Sequence, residues 1–345
     1  MKILALDLGK NKSVFVEYIT GNGERTFGKI STNPRELRNL LERGTPDRLV
    51  IEAGPAAGWV CDLAESMKVP VQVANANDER WRWKTVKEKS DRKDAIKLAH
   101  LSEMDCLPTV HVPKASVRQW RSLIEYRHAL VRRRTAVKNS IRSIYERRGL
   151  NLPSAKRAWT DAVMEELKKE ASHYSSQRLW LFQVHCELQQ FESIQRQIQA
   201  VEEKLEERAR ADGRVEQLKT APYVGPRLGE TVVAILDDPH RFQNGRQVGC
   251  YAGLTPRRWQ SGESDRQGHI SHAGNGLLRQ MLVEIAWLGV RRGTWMTAVY
   301  EQVRRGSDKR KKIAIVAVAR RLLVKLWAML RDGTEWKEPL PAAAT

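Results

Sequence analysis

Scarcity narrows the class of this chain before any motif is read. Only 4 of its 345 residues are cysteine (Cys61, Cys106, Cys186 and Cys250), far apart and without a Cys-x-x-Cys pair. No histidine stands at zinc-finger spacing, so neither a zinc module nor a disulfide framework is indicated, and the thiols are expected to be reduced and mostly buried. Long apolar runs are also missing: Glu284 interrupts residues 281–290, and Arg320, Arg321 and Lys325 interrupt 313–330, which removes a membrane-spanning helix. Residues 1–9 carry one lysine and a short apolar run holding Asp7, with no small-residue cleavage pattern, so no signal peptide is expected and the protein should stay in the cytoplasm. Acid is in short supply, with 41 Asp and Glu against 60 Lys and Arg. What the chain does have, 41% hydrophobic residues, is enough to bury real cores and excludes wholesale disorder.

The net charge of +19 points to a polyanion, because each Lys or Arg set on a phosphate releases condensed counterions. Nucleic acid is the expected partner, with a nucleoid-associated location. The charge is clustered. Arg118, Arg121, Arg127, Arg132, Arg133, Arg134, Lys138, Arg142, Arg147 and Arg148 face only Glu125 and Glu146, and a second cluster holds Arg304, Arg305, Lys309, Arg310, Lys311 and Lys312. A solvated helix face is the other reading of either cluster.

Residues 1–110 alternate strand and helix patterns. Strands are expected at 3–8, 13–19 and 25–31, with Gly21-Asn22-Gly23 as a hairpin turn, then a helix over 33–42, a strand at 49–52, a helix over 58–66, a strand at 69–74 and a helix over 91–101. This β-β-β-α-β-α-β-α order is that of the α/β ribonuclease-H-like, or RuvC-like, fold. Residues 114–209 read as long helices. The one over 175–210 spaces Leu181, Phe182, Leu188, Phe191, Ile194, Ile198, Val201 and Leu205 mostly three and four apart, as a coiled-coil arm for self-association would, or as one half of a core helix hairpin. Pro222-Tyr223-Val224-Gly225-Pro226 lies between helical segments in the pattern of a helix-hairpin-helix turn, where backbone N–H groups approach a phosphate, or of an ordinary connection. The domains expected are 1–150 (the RuvC-like fold with its basic helix), 151–210 (the arm) and 211–345 (a mostly α C-terminal domain).

Acidic residues fall where phosphodiester chemistry needs them. Asp7 ends the first strand and Glu52 the fourth, which in such a sheet lies beside the first, while Asp91 and Asp94 are three apart on one helix face. Four acids from three elements can hold two Mg²⁺ ions about 3.5–4 Å apart, clamping attacking and leaving oxygens. Taken singly, Asp91 could instead cap its helix, Asp7 sit in a turn and Glu52 be a rim carboxylate.

The series Asp7, Glu52, Asp91-x-x-Asp94 is followed by Arg241-Phe242, then Tyr251-Ala252-Gly253-Leu254-Thr255-Pro256-Arg257-Arg258-Trp259-Gln260-Ser261-Gly262, and then Ser271-His272-Ala273-Gly274-Asn275 with Leu278-Arg279. Over nearly its whole length the chain resembles the DEDD transposases of bacterial insertion sequences, the IS110 family, related to Piv-type DNA invertases. The resemblance implies a RuvC-like domain, a coiled-coil arm and a C-terminal transposase domain. It makes Asp7, Glu52, Asp91 and Asp94 a catalytic tetrad for Mg²⁺ or Mn²⁺, and Ser261 a nucleophile forming a 5′-phosphoserine intermediate. Without it, Ser261 reads as a turn serine. Arg257 and Arg258 are expected to steady the phosphate or to serve structure alone, and Tyr223 stands where many members have glycine.

The resemblance also implies a structured bridge RNA that pairs with donor and target DNA. Arg121, Arg127, Arg132, Arg133, Arg134, Lys138 and Arg142 then form the candidate RNA surface, with Trp81, Trp83 and Trp120 as stacking platforms. A homodimer is expected, paired into a tetramer on two DNA partners. The alternatives are a metal-only RuvC-like nuclease such as a junction resolvase, with no serine chemistry, and a catalytically silent nucleic-acid-binding protein.

Overall fold

The computed structural model describes residues 1–75, 78, 90–261 and 264–338. Two compact units divide the chain, Met1–Ser116 and Val117–Thr345. In the first, β1 (Lys2–Asp7), β2 (Lys12–Ile19) and β3 (Arg25–Ser31) form an antiparallel meander. Then come α1 (Pro34–Gly44), β4 (Arg48–Glu52), α2 (Ala57–Ser66), β5 (Val71–Ala74) and α3 (Asp91–Glu103). The sheet order is β3-β2-β1-β4-β5, with β4 parallel to both β1 and β5. That is the hairpin-then-crossover arrangement expected of a ribonuclease-H-like sheet.

Each face of this sheet has its own core. Leu4, Leu6, Leu49 and Ile51 pack with Leu37, Leu40 and Leu41 of α1 and Val60 and Ala64 of α2. Ile3, Ala5, Val50 and Ala74 pack with Ala95, Leu98 and Ala99 of α3. A strand covered on both sides reads as a continuous apolar run, which is why residues 3–6 show no alternation. Local signals place the helices: the Asn33 side chain accepts from the Glu36 backbone N–H at 2.9 Å, and Pro34 opens α1.

The second unit holds α4 (Ala115–Glu146), α5 (Asp161–Ser172), α6 (Leu179–Arg210), α7 (Gly213–Lys219), α8 (Pro226–Leu236) and α9 (Gly245–Tyr251). A two-stranded ribbon of β6 (Pro256–Ser261) and β7 (Ser264–Ile270) follows, then α10 (Gly276–Arg291), α11 (Trp295–Arg304) and α12 (Lys311–Asp332). The α4 and α6 helices run antiparallel. Arg127 meets Glu202 at 2.6 Å, Arg134 donates to Gln195 at 2.8 Å, Ser140 to Glu187 at 2.7 Å, and the Tyr145 and Trp180 rings meet edge-on at 5.5 Å.

Three expectations change here. Most of the stripe expected to form a self-association arm is covered within the chain: Leu181, Leu188, Ile194, Ile198, Val201 and Leu205 share one core with Leu130, Val137 and Ile141 of α4, Phe191 packs against it partly buried, and Phe182 is exposed. The same core includes α8, α10 and α12, so residues 151–210 and 211–345 are not separate domains, and the boundary lies at 116, not 150. Three of the cysteines, Cys106, Cys186 and Cys250, are exposed, not buried. Among the described residues, no helix is long and apolar enough to cross a membrane.

Candidate active site

The parallel register of β1 and β4 decides where the first two acids stand. Leu4 pairs with Leu49, Ala5 with Val50 and Leu6 with Ile51, so the next rung sets Asp7 beside Glu52. Side chains alternate along a strand. Asp7 therefore belongs to the face of Ile3 and Ala5, Glu52 to that of Val50, and both to the face that α3 covers.

α3 runs against these strands with its ends reversed. The Tyr18 hydroxyl, on the residue paired with Ile3, donates to Glu103 at 2.7 Å, and its ring meets His100 at 5.2 Å. The Arg48 guanidinium donates to Ser102 at 3.2 Å. The C-terminal end of α3 thus lies over the starts of β1 and β4. Going back nine residues from His100 climbs about 13 Å of helix, and going forward four from Ile3 climbs about 13 Å of strand, which brings Asp91 level with Asp7. Ser90, not Asp91, caps α3, its side chain accepting from the Lys93 N–H at 3.3 Å. Asp91 and Asp94 then occupy the first turn, where the helix dipole favours negative charge.

Sequence reasoning missed Lys97, one turn further along α3. Burial lowers its ammonium from the ordinary lysine value, while the carboxylates of Asp94 and then Glu52 pull it back up. One cation thus feels acids from two elements. The signal was its position, three beyond Asp94 and six beyond Asp91, on the side of the helix that faces the sheet. Among the described residues, no three carboxylate, imidazole or thiol groups are gathered closely enough to hold a metal ion. Asp7 and Glu52 thus stand on the sheet face that α3 covers, and Asp91 and Asp94 in the first turn of that helix, without being drawn into a cage. Their all-oxygen donor set nevertheless fits a hard divalent cation such as Mg²⁺ or Mn²⁺.

Ser261 lies at the far end of the β6–β7 ribbon, paired with Ser264. All six residues of β6 are exposed. The base of the ribbon, by contrast, is clasped. Gly253 has φ +68° and Gly274 φ +71°; a methyl group on Gly253 would strike the Ala273 carbonyl, and one on Gly274 the Tyr251 carbonyl. Arg279, at the first turn of α10, donates through Nη1 to the carbonyls of Ala252 (3.1 Å), Gly274 (3.2 Å) and Ala273. Asn275 caps α10 by accepting from the Leu278 N–H at 2.9 Å. The Ala-Gly-Leu and Ala-Gly-Asn…Leu-Arg stretches are therefore the two sides of one clasp. The Arg241-Phe242…Tyr251 part is structural too: the Arg241 guanidinium lies 4.2 Å from the Phe242 ring centre and 4.4 Å from that of Tyr251, and donates to the Leu236 carbonyl at 3.1 Å.

Residues 4–147 match the DEDD transposase model of IS110 elements, and residues 215–301 match the transposase model of the IS116/IS110/IS902 family. The chain belongs to the IS110 transposase family. It is 26% identical to the transposase for insertion sequence element IS1111A of Coxiella burnetii, over 96% of this chain and 90% of that one. It is 24% identical to the transposase for IS1328 of Yersinia enterocolitica, over 71% and 74%. A 43.6 kDa protein of insertion element IS110 from Streptomyces coelicolor is 29% identical over 36% of this chain and 31% of its own. Among solved structures, Thermus thermophilus RuvC matches at 16% identity and a TM-score of 0.23, covering 32% of this chain and all of its own.

The transposase commits much of its basic helix to its own fold. Arg121 donates to the Ala234 and Ile235 carbonyls at the end of α8 (2.7 and 3.0 Å), and burial lowers its guanidinium from the ordinary value. Arg127 is paired with Glu202 and Arg134 with Gln195; Lys138 and Arg142 lie over the Trp159 ring at 5.0 and 5.6 Å. Arg132 and Arg133 remain exposed. Trp120 is 3% exposed beneath the Arg208 guanidinium, so it is no stacking platform. Trp81, Trp83 and Gly262 lie outside the described residues. Arg257 donates to the Ser271 carbonyl at 3.3 Å, and Arg258 forms a two-pronged pair with Asp265 at 2.7 and 2.6 Å. In the second basic cluster, Arg304 pairs with Glu301 and Asp308, and Lys311 with Asp308. At the turn between α7 and α8, Tyr223 has φ +64°, the left-handed backbone that explains why glycine suits this position.

Proposed function

We propose that this IS110-family transposase cuts and rejoins DNA strands through an acidic metal site and a serine nucleophile. The observation that carries the reading is that Asp7 and Glu52 belong to the sheet face covered by α3, the helix whose first turn holds Asp91 and Asp94. Asp7, Glu52, Asp91 and Asp94 would hold Mg²⁺, or Mn²⁺ in its place. A bound ion supplies Lewis-acid stabilisation of the developing charge on the scissile phosphate.

Ser261 does the bond exchange. Its Oγ forms a bond to phosphorus, the P–O3′ bond breaks with its electron pair going to the 3′ oxygen, and the hydroxyl proton ends on that oxygen. The DNA 5′ end is then held as a phosphoserine ester. Attack by the 3′-hydroxyl of another strand reverses the exchange and returns the serine, so no bond energy is lost to hydrolysis. An exposed ribbon on a rigid clasp suits that role, because the tip can enter a DNA groove while the base stays fixed.

The guide in this reading is a bridge RNA, held by backbone contacts at the exposed Arg132 and Arg133. Assembly as a homodimer, paired into a tetramer on DNA, belongs to the same proposal but takes no support from the α6 stripe. A metal-only nuclease is the second reading, favoured by one observation: among the described residues, no hydrogen bond reaches the Ser261 hydroxyl to activate it. The two separate cleanly. In a donor–target plasmid assay with adduct trapping, Ser261→Ala abolishes both adduct and recombinant under serine chemistry, and cuts normally under metal-only chemistry. Asp7→Asn is inactive under both.

A further inference from the structure

The ribbon sorts its side chains onto two faces, and the sorting singles out an arginine that the sequence motif did not. Arg258 pairs with Gln267, Trp259 with Arg266, Gln260 with Asp265 and Ser261 with Ser264. Paired residues of an antiparallel ribbon share a face, and neighbours along a strand alternate. One face therefore carries Arg258, Gln260 and Asp265. The other carries Ser261, Ser264, Trp259, Arg266 and Gly268.

The two faces differ in charge. On the first, the only acid among the ribbon's described residues, Asp265, is taken up by Arg258 in a two-pronged pair. That face is locally neutral, and its arginine points away from the serine. On the second face, Arg266 is exposed, and its guanidinium makes no hydrogen bond or ion pair with any described residue. It stands diagonally across from Ser261, a relation that separates Cα atoms by about 7–8 Å, which an extended guanidinium spans.

Trp259, directly across from Arg266, leans the other way. Its ring lies over Gly268, where a methyl group would meet the ring carbon Cζ3 at 2.5 Å. The indole thus packs towards the base of the ribbon and leaves the space between Arg266 and Ser261 open. Arg257, the remaining candidate, is tied to the Ser271 carbonyl at the base.

We propose that Arg266, not Arg257 or Arg258, binds the non-bridging oxygens of the phosphate attacked by Ser261 and neutralises the charge that develops there. A planar guanidinium suits two phosphate oxygens at once. The inference rests on the serine reading above, and the test separates the two.

The full-length transposase, expressed with the DNA that flanks its gene, is given a synthetic duplex of its own element end, and the covalent adduct is measured. The scissile position is mapped from the wild-type adduct. A second duplex carries an uncharged methylphosphonate there. Arg266→Ala is expected to slow adduct formation roughly 10²-fold on the ordinary duplex, as loss of one charge-stabilising donor does, and to be slowed much less on the methylphosphonate, whose phosphorus centre carries one negative charge fewer throughout the attack. Arg258→Ala should react as wild type on both. Arg266→Ala reacting at the wild-type rate on the ordinary duplex, or equally slow on both duplexes, overturns the proposal, the second outcome marking a role in ribbon folding alone. If Ser261→Ala is inactive while Arg266→Ala is not, only this inference falls. If wild type forms no adduct and Ser261→Ala recombines, the serine reading falls and takes this one with it.

Discussion

Alanine at Gly274 should loosen the clasp that carries the ribbon, and the cost can be worked out from its parts. The residue has φ +71°, and moving an L side chain into the left-handed region costs about 1–2 kcal/mol. The added methyl also strikes the Tyr251 carbonyl oxygen, which is backbone and cannot swing aside alone. Relief requires moving residues 251–252, and the Ala252 carbonyl accepts from Arg279 at 3.1 Å. Losing one such bond to a charged donor costs about 1.5–3 kcal/mol. Together these come to about 3–5 kcal/mol, or a drop of roughly 10 °C in the melting of a unit this large. The assay is thermal unfolding of the full-length protein followed by tryptophan fluorescence. Gly274→Asn separates the two contributions, because asparagine tolerates the left-handed region yet still carries the offending Cβ. Both variants should melt well below wild type, asparagine only slightly above alanine. An alanine variant within about 1 kcal/mol of wild type would refute the clasp.

Tyr223→Gly should raise stability by about 1 kcal/mol, since it removes a left-handed non-glycine residue; urea unfolding showing a loss instead means that the ring's packing outweighs the backbone. Arg121→Met should cost about 2–4 kcal/mol, because the α8 carbonyls lose two charged donors, without changing the salt dependence of RNA binding. Arg132→Gln with Arg133→Gln should do the reverse, lowering the slope of log K against log salt by about one unit per residue; equal slopes for the pair and wild type would take these arginines off the RNA surface. Glu230, 1% exposed, is held above its ordinary pKa of 4.5 by burial, against the pull of Arg227. The folded state then keeps this proton to higher pH than the unfolded one, so the group's contribution is full below 4.5 and is lost as pH rises through its folded value. Glu230→Gln should remove that downward component from a stability–pH curve, and an unaltered curve would show that the shift is absent.

The first unit was legible almost element by element, because its signals are local: the apolar run before Asp7, the Gly21-Asn22-Gly23 turn, the Asn33-Pro34 start. That Asp7 and Glu52 end their strands and that Asp91 and Asp94 share the first turn of a helix was legible as well, since strands and helices have fixed periods. What misled were long-range partnerships. A stripe at three- and four-residue steps looks the same whether its cover is a second chain or α4, and an arginine run does not say which guanidiniums the fold will use. Arg121 caps α8 more than a hundred residues away, a contact that no window of sequence contains. In the C-terminal motif, the family's glycines and Arg279 were visible as a pattern, but the pattern's meaning as a clasp depends on residues 253 and 274 meeting in space. Arg266 was passed over because it follows the serine, and its relevance comes only from the cross-strand register.

That register has a consequence for reach. Both legs of the ribbon are anchored by one arginine side chain, so its length can change without disturbing the core below. Each residue added to both strands extends the tip by about 3.4 Å, but an odd step turns the serine to the opposite face. Extension by two residues on each side preserves Ser261 with Arg266 while carrying them about 7 Å further from the protein. The reach of the serine-bearing face is therefore adjustable only in even increments, a ratchet imposed by the pleat of the strand.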